Sequence, residues 1–162
     1  MKSLMMIAVL AASFSSFAGD GKVTISVSLS PAGSFQAVSD KAKGIIVKKG
    51  EELSSDKISL SIQSLKTGID LRDEHFWKHL KSEQYAKAVL SNVKASAGKG
   101  SGILEINGVK KPVAISYSEK ESDIIANFKV KASEFNLSKA QYLGVGVEDD
   151  IAIEAVIGFV KK

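Results

Sequence analysis

The chain has 162 residues, contains no cysteine and carries a formal net charge of +4 at pH 7. This length suggests a single domain, and the missing cysteines exclude disulfides, thiol catalysis and cysteine-ligated zinc sites. The lysines are scattered rather than grouped into a basic stripe with interleaved aromatics, so we expect no nucleic-acid binding, while peripheral membrane contact stays open.

The first eighteen residues have the pattern of a secretory signal peptide. Lys2 supplies a positive charge, an apolar run covers residues 4–12, and Ser16-Phe17-Ala18 matches a small-x-small cleavage site. The run is too short to span a bilayer stably, which makes a retained membrane anchor the less favoured alternative. We therefore predict cleavage near Ala18, a periplasmic or secreted location, and one domain over residues 19–162.

Alternation of apolar and polar residues predicts β-strands along most of the remaining chain. The predicted strands are 22–30, 34–39, 44–49, 57–65, 88–95, 103–106, 112–117, 124–132 and 151–159. The segment 124–132 is expected to be the longest regular strand. Asn107-Gly108 tolerates positive φ angles and predicts a tight hairpin turn. Alternation places Val89 and Val93 on one face and Leu90 on the other.

One segment breaks this alternation and predicts a helix near residues 70–82. Asp70 or Asp73 can cap its start, and Phe76 and Leu80 fall at helical spacing. The segment also contains the only arginine, the only tryptophan and both histidines of the chain, which are Arg72, Trp77, His75 and His79. Such a concentration of scarce side chains indicates that this segment closes or gates a part of the fold.

Eight or nine short strands without βαβ spacing indicate an all-β, antiparallel fold. A closed barrel and a two-sheet sandwich both remain compatible with the pattern, and we favour the barrel slightly. The inward faces consist mainly of aliphatic residues of modest size, which in a small barrel either fill the interior or line a cavity.

The predicted helical segment contains few candidates for a catalytic or metal site. His75 and His79 are four residues apart, but Phe76 stands where a zinc protease would carry its catalytic glutamate, so we predict no metal site. Arg72 and Asp73 cannot pair with each other on a helix and are expected to pin it to neighbouring strands. An anionic ligand head group is the alternative partner for Arg72. We find no catalytic constellation, and predict neither enzyme activity nor a cofactor.

The segment from Thr67 to His75 resembles the T-G-x-x-x-R-D-x-H signature of the YceI-like family. Thr67, Gly68, Arg72, Asp73 and His75 stand at its positions. The resemblance extends over about residues 33–160 and includes a hairpin similar to the family's G-x-L-x-x-x-G-x-x-x-P-V pattern from Gly102 to Val113. The chain departs from the family's pattern at Ser26–Leu29, Ala86 and Ala132–Asn136. These changes could alter the lining or the mouth of the ligand site that the family implies.

The resemblance implies an exported, lipocalin-like antiparallel barrel of about eight strands, without enzyme activity, that holds a polyisoprenoid in its interior. Our hypothesis is a carrier or buffer of an isoprenoid, an isoprenoid quinone or a similar long apolar lipid. Phe76 and Trp77 would gate the mouth. The other predicted ligand-binding residues form one apolar face of most strands: Ile25, Val27, Leu60, Ile62, Val93, Ile115, Phe128, Val130, Ile153 and Ile157. The alternative is a ligand-free structural or stress-response module with a filled barrel.

Overall fold

The structure, a computed structural model, describes residues 20–137, 141–142 and 144–162. The signal-peptide prediction falls on residues outside these ranges. The described residues form ten β-strands and one α-helix. Their bounds are β1 Gly21–Ser30, β2 Ser34–Gly44, β3 Ile46–Lys49, β4 Glu52–Ser61, α1 Asp70–His79, β5 Lys87–Ser96, β6 Lys99–Ile106, β7 Val109–Lys120, β8 Asp123–Lys131, β9 Gln141–Tyr142 and β10 Val145–Lys161.

Eight of these strands close into a barrel. The antiparallel neighbours run β1-β2-β4-β5-β6-β7-β8-β10, and β10 returns to β1 through the pairs Lys22 with Val156 to Ser30 with Gly146. β3 follows β2 after one residue and lies parallel to the end of β10. β9 pairs with the beginning of β10. Closure leaves no free sheet edge around the ring. The predicted all-β, lipocalin-like barrel with one helix is therefore confirmed, and the sandwich is excluded.

The central strands show where alternation misleads. The buried positions of β4 change phase between Ser55 and Ile58, and a bulge after Ser91, where Asn92 has a φ of 51°, shifts β5 against β6. Because of these irregularities Leu90 packs against the core, so its predicted placement on the opposite face was wrong.

Strand lengths also differ from the prediction in several places. β10 spans Val145–Lys161 and is the longest described strand, in place of the segment 124–132. β4 ends at Ser61 because Ile62–Ser64 form a turn of 3-10 helix, so the predicted strand 57–65 was too late at both ends. Asn107 and Gly108 do form a hairpin turn, with φ angles of 53° and 72°.

α1 begins after an extended Ile69, without a side-chain cap. Neither Asp70 nor Asp73 occupies the N-cap position, so that expectation was wrong. Asp73 lies within the first turn, where its carboxylate still faces the positive end of the helix dipole. No helix among the described residues is long and apolar enough to span a bilayer.

Candidate functional site

A cavity of about 970 Å³ runs through the barrel. Its wall is almost entirely aliphatic or aromatic and takes residues from most of the strands. At one end of the barrel a buried aliphatic cluster closes the interior, made of Ile46, Leu53, Ile58, Ile124 and Ile157. Protein interiors usually pack with few voids larger than a water molecule, so a space of this size is not an ordinary packing defect.

The opposite end is the mouth of the cavity. Six lining residues are solvent-exposed, and all of them belong to α1, the residue before it, or the strands β9 and β10 where they begin. We use the word mouth for these six residues, Ile69, Leu71, His75, Lys78, Gln141 and Val145. The cavity therefore reaches the surface beside α1.

Eleven of the twelve residues predicted to bind ligand line this cavity, all except Trp77. Ile25 and Val27 come from β1, Leu60 from β4 and Ile62 from the turn after it. The others are Phe76 on α1, Val93 on β5, Ile115 on β7, Phe128 and Val130 on β8, and Ile153 and Ile157 on β10. That these residues bind a lipid remains a prediction.

Trp77 lies on another face of α1. Its indole Nε1 donates a hydrogen bond of 2.8 Å to the carbonyl oxygen of Leu65, and the ammonium of Lys66 lies 4.3 Å from the ring centroid. These contacts tie the helix to the segment that precedes it. They give Trp77 an anchoring role in place of a position on the cavity wall. Its neighbour Phe76 does line the cavity and meets Phe35 edge to face, with ring centroids 6.2 Å apart.

The signature residues hold the turn in front of α1. Asp73 is only 2% exposed and accepts hydrogen bonds of 2.6 Å from both the amide and the hydroxyl of Thr67. These hydrogen bonds, above all the one from the Thr67 hydroxyl, lower the pKa of Asp73, and Lys66 at 3.7 Å adds to this effect. Gly68 follows with a φ of 87°, which glycine adopts without strain.

Arg72 completes this turn from the cavity side. Its Nη2 donates a hydrogen bond of 2.7 Å to the carbonyl oxygen of Thr67, and its guanidinium lies 4.7 Å from the ring centroid of Phe35 on β2. The expectation that Arg72 and Asp73 pin the helix is thus correct. Their hydrogen-bond partner, however, is Thr67 in the preceding loop, because the helix start folds back on that loop.

Of the two histidines of α1, His75 belongs to the mouth and His79 does not. Both line the cavity; His75 is exposed and His79 is half-buried. Burial lowers the pKa of His79, with a smaller contribution from Lys81. Within the described residues, no group of three or more histidine, cysteine, aspartate or glutamate side chains is arranged to hold a metal ion.

A family model described as the YceI-like domain matches residues 5–159. The chain belongs to the YceI-like family. This match covers nearly the whole sequence and includes every strand described above, apart from the last two residues of β10. A comparison with curated protein sequences found no match.

Solved structures with the same fold as this YceI-like domain come from several bacteria. BcnA of Burkholderia cenocepacia superposes with a TM-score of 0.66 at 15% identity, covering 85% of this chain and 94% of BcnA. A polyisoprenoid binding domain from Saccharophagus degradans, implicated in plant cell wall breakdown, gives 0.63 at 16% identity over 87% and 94%. The Campylobacter jejuni YCEI protein gives 0.53 at 19% identity over 72% and 79%. At these identities the likeness establishes the fold.

Proposed function

We propose that this YceI-like protein binds an isoprenoid or a similar long apolar lipid inside its barrel and serves as an exported carrier or buffer of that lipid. The apolar cavity of about 970 Å³ is the observation that carries the proposal. The similarity to a polyisoprenoid binding domain supports the same class of ligand. A polyisoprenoid or an isoprenoid quinone fits this description.

The energetics favour a long ligand with few polar groups. Each CH₂ group removed from water contributes about 0.8 kcal/mol, so a chain of tens of carbons can bind tightly through apolar contact alone. The aliphatic wall supplies such contact along the interior, from Phe76 near the mouth to Ile157 at the closed end. The competing hypothesis, a filled barrel without a ligand, would need side chains where this space lies.

Export and membrane contact complete the proposal. The signal-peptide pattern of residues 1–18 supports a periplasmic or secreted location. At the mouth, Ile69 is 54% exposed and Leu71 is 62% exposed. Large apolar side chains in such positions are typical of surfaces that touch a membrane or another protein. We assign them to peripheral contact with the bilayer from which the lipid is loaded.

Native mass spectrometry of the mature protein, purified gently from its own host compartment, tests the proposal. We expect a mass that exceeds the polypeptide by a few hundred daltons or more and returns to the polypeptide mass on denaturation. A bare mass that stays bare after incubation with isoprenoids would contradict lipid binding and favour the filled-barrel module. The measured N-terminus tests cleavage near Ala18 in the same experiment.

A further inference from the structure

The ladder between β2 and β4 is the shortest in the ring. Among the described residues it consists of the pairs Lys43 with Ser59 and Gly44 with Ile58. Nearer to the mouth, β2 faces the connection between β4 and β5, residues 62–86, in place of a strand. Adjacent strands of a barrel hold each other through a row of backbone hydrogen bonds. On this side the closure of the ring therefore depends on how the connection is attached.

The connection is bound together by its own contacts. Asp73 and Arg72 both form hydrogen bonds to Thr67, at 2.6 and 2.7 Å. Trp77 donates a hydrogen bond of 2.8 Å to Leu65. Because Asp73 is buried and charged, separating α1 from the segment before it would leave this carboxylate without partners. Any movement of the connection therefore carries the helix and the preceding segment together.

The base of the connection is fixed on β4 and β5. The ladder between these strands continues to the pair Ser61 with Lys87. One step further, the amide of Ile62 donates a hydrogen bond of 2.9 Å to the carbonyl oxygen of Ala86. This row of hydrogen bonds is continuous, so the connection extends the hairpin of β4 and β5 and is held firmly at this side.

The opposite side of the connection is attached to β2 by few bonds. Among the described residues, its hydrogen bonds to strands other than β4 and β5 involve only Val38 and Ser39. Val38 and Lys66 exchange two backbone hydrogen bonds of 2.8 and 2.9 Å. The hydroxyl oxygens of Ser39 and Ser64 lie 2.7 Å apart, and the Ser64 hydroxyl donates to the carbonyl oxygen of Ser61 at 2.6 Å. Since the single proton of Ser64 is used there, Ser39 is the donor between the two serines. We use the word latch for Val38, Ser39, Ser64 and Lys66.

The latch lies directly over the cavity. Leu65, between two latch residues in the chain, is fully buried and lines the cavity. Phe35 on β2 and Val27 on β1 line both the cavity and a second, mostly polar groove, which also includes Val38 and Lys66. One layer of side chains therefore separates the cavity from this groove along the joint with β2.

We propose that the connection between β4 and β5 is a lid for the lipid: it opens by releasing β2 at the latch and swings about its base on β4 and β5. Opening breaks the latch and parts Phe35 from Phe76 and Arg72, while the contacts within the lid stay intact. The mouth beside α1 widens while the lid is open and narrows again once the lipid is inside. This inference rests on the proposed lipid binding and adds the route of the lipid.

A reversible disulfide across the latch tests the lid. The chain has no cysteine, so Ser39→Cys with Ser64→Cys creates a single possible disulfide, and the 2.7 Å between the two hydroxyl oxygens places the sulfurs within bonding reach. The mature protein is loaded with cis-parinaric acid, a fluorescent fatty acid, and its release to excess phosphatidylcholine vesicles is followed. We expect release from the oxidised protein to be about tenfold slower, or more, than from the same protein after reduction, because opening of the lid sets the rate. The Kd should be similar in both forms.

Two further variants locate the effect at the latch. Ser61→Cys with Lys87→Cys is the matched control, because these exposed residues already face each other across β4 and β5 at the base, and its disulfide should leave release unchanged. Ser39→Ala removes the latch donor while Ser64 keeps its bond to Ser61, so release should become about three- to tenfold faster, the scale of one hydrogen bond. Circular dichroism checks folding, and thiol titration checks oxidation. If the latch disulfide does not form, Ser39→Ala decides.

The outcomes separate the lid from the function beneath it. Equal release from the oxidised and reduced forms would overturn the lid, because the lipid then passes through the standing mouth, and would leave lipid binding intact. Equal slowing by the disulfide at the base would overturn it as well, since the effect would then be general stiffening. An unchanged rate in Ser39→Ala would contradict the latch. If neither cis-parinaric acid nor geranylgeraniol binds to the wild-type protein, the proposed function itself is contradicted.

Discussion

Filling the cavity with one large side chain is the sharpest perturbation of the hollow barrel. Ala126 on β8 lines the cavity opposite Ala155 on β10, so Ala126→Phe directs a ring into the empty space. Ala114 on β7 lies between the buried residues Val113 and Ile115 and is itself exposed, so Ala114→Phe is the matched control outside the barrel.

The expected magnitude follows from the displaced ligand. A phenyl ring excludes about six ligand carbons, which at about 0.8 kcal/mol per CH₂ is about 5 kcal/mol, or more than a thousandfold in Kd. The chain can shift or fold back, so the loss should lie between about tenfold and this limit. In a packed core the same substitution would instead cost about 1–3 kcal/mol of stability.

Two assays on the same proteins separate these cases. Lipid affinity is measured by displacement of a fluorescent fatty-acid analogue, and stability is measured by urea unfolding. We expect Ala126→Phe to lose affinity and keep its free energy of unfolding, and Ala114→Phe to keep the affinity. Wild-type affinity in Ala126→Phe would refute the assignment of the cavity as the binding site. If ligand-free Ala126→Phe has a lower free energy of unfolding than ligand-free wild type, the hollow interior is refuted.

The remaining predictions concern the turn that holds α1. Asp73→Ala leaves the amide and hydroxyl of Thr67 without their acceptor, so the free energy of unfolding in urea should fall by about 1–3 kcal/mol, whereas the exposed Asp70→Ala should change it little. The pKa of Asp73 is lowered in the folded state, so the stability contributed by its charge is present above the unfolded carboxyl pKa of about 3.9 and is lost as pH falls through the folded value. The difference in unfolding free energy between wild type and Asp73→Asn should therefore shrink below about pH 4, and a constant difference would contradict this. Trp77→Phe removes the hydrogen bond to Leu65 and should lower stability by about 1 kcal/mol with no change in lipid affinity; a loss of affinity would instead restore Trp77 as a gate.

The strand pattern was predictable because it depends on local alternation. β1, the hairpin turn at Asn107-Gly108 and the inward faces of β8 and β10 follow directly from the order of apolar and polar residues. Leu90 was misplaced because two irregularities act together, a change of phase in β4 and a bulge in β5. The change of phase in β4 leaves no clear local signal. Asn92 does leave one, because asparagine is depleted in regular strands and tolerates a positive φ, but the prediction did not use it.

The candidate site was predictable on the strands and less so on the helix. A strand has two faces, so one apolar row suffices to choose the inward residues. A helix has several, and Phe76 and Trp77 are adjacent residues that point in different directions. Phe76 lines the cavity, whereas Trp77 bonds to Leu65. The basic groups Lys78 and His79 were not predicted as wall residues, because only the docking of α1 across the barrel end brings them there.

The sequence by itself determined the fold class, the single helical interruption and the apolar character of the inward faces, because each of these is set by neighbouring residues along the chain. Only the tertiary structure decided that the barrel is hollow. The aliphatic side chains that line it could equally fill a narrower barrel, and the space left between them depends on how eight strands close around a common axis. It also decided that the cavity opens beside α1, which brings Arg72, His75 and His79 to the apolar wall.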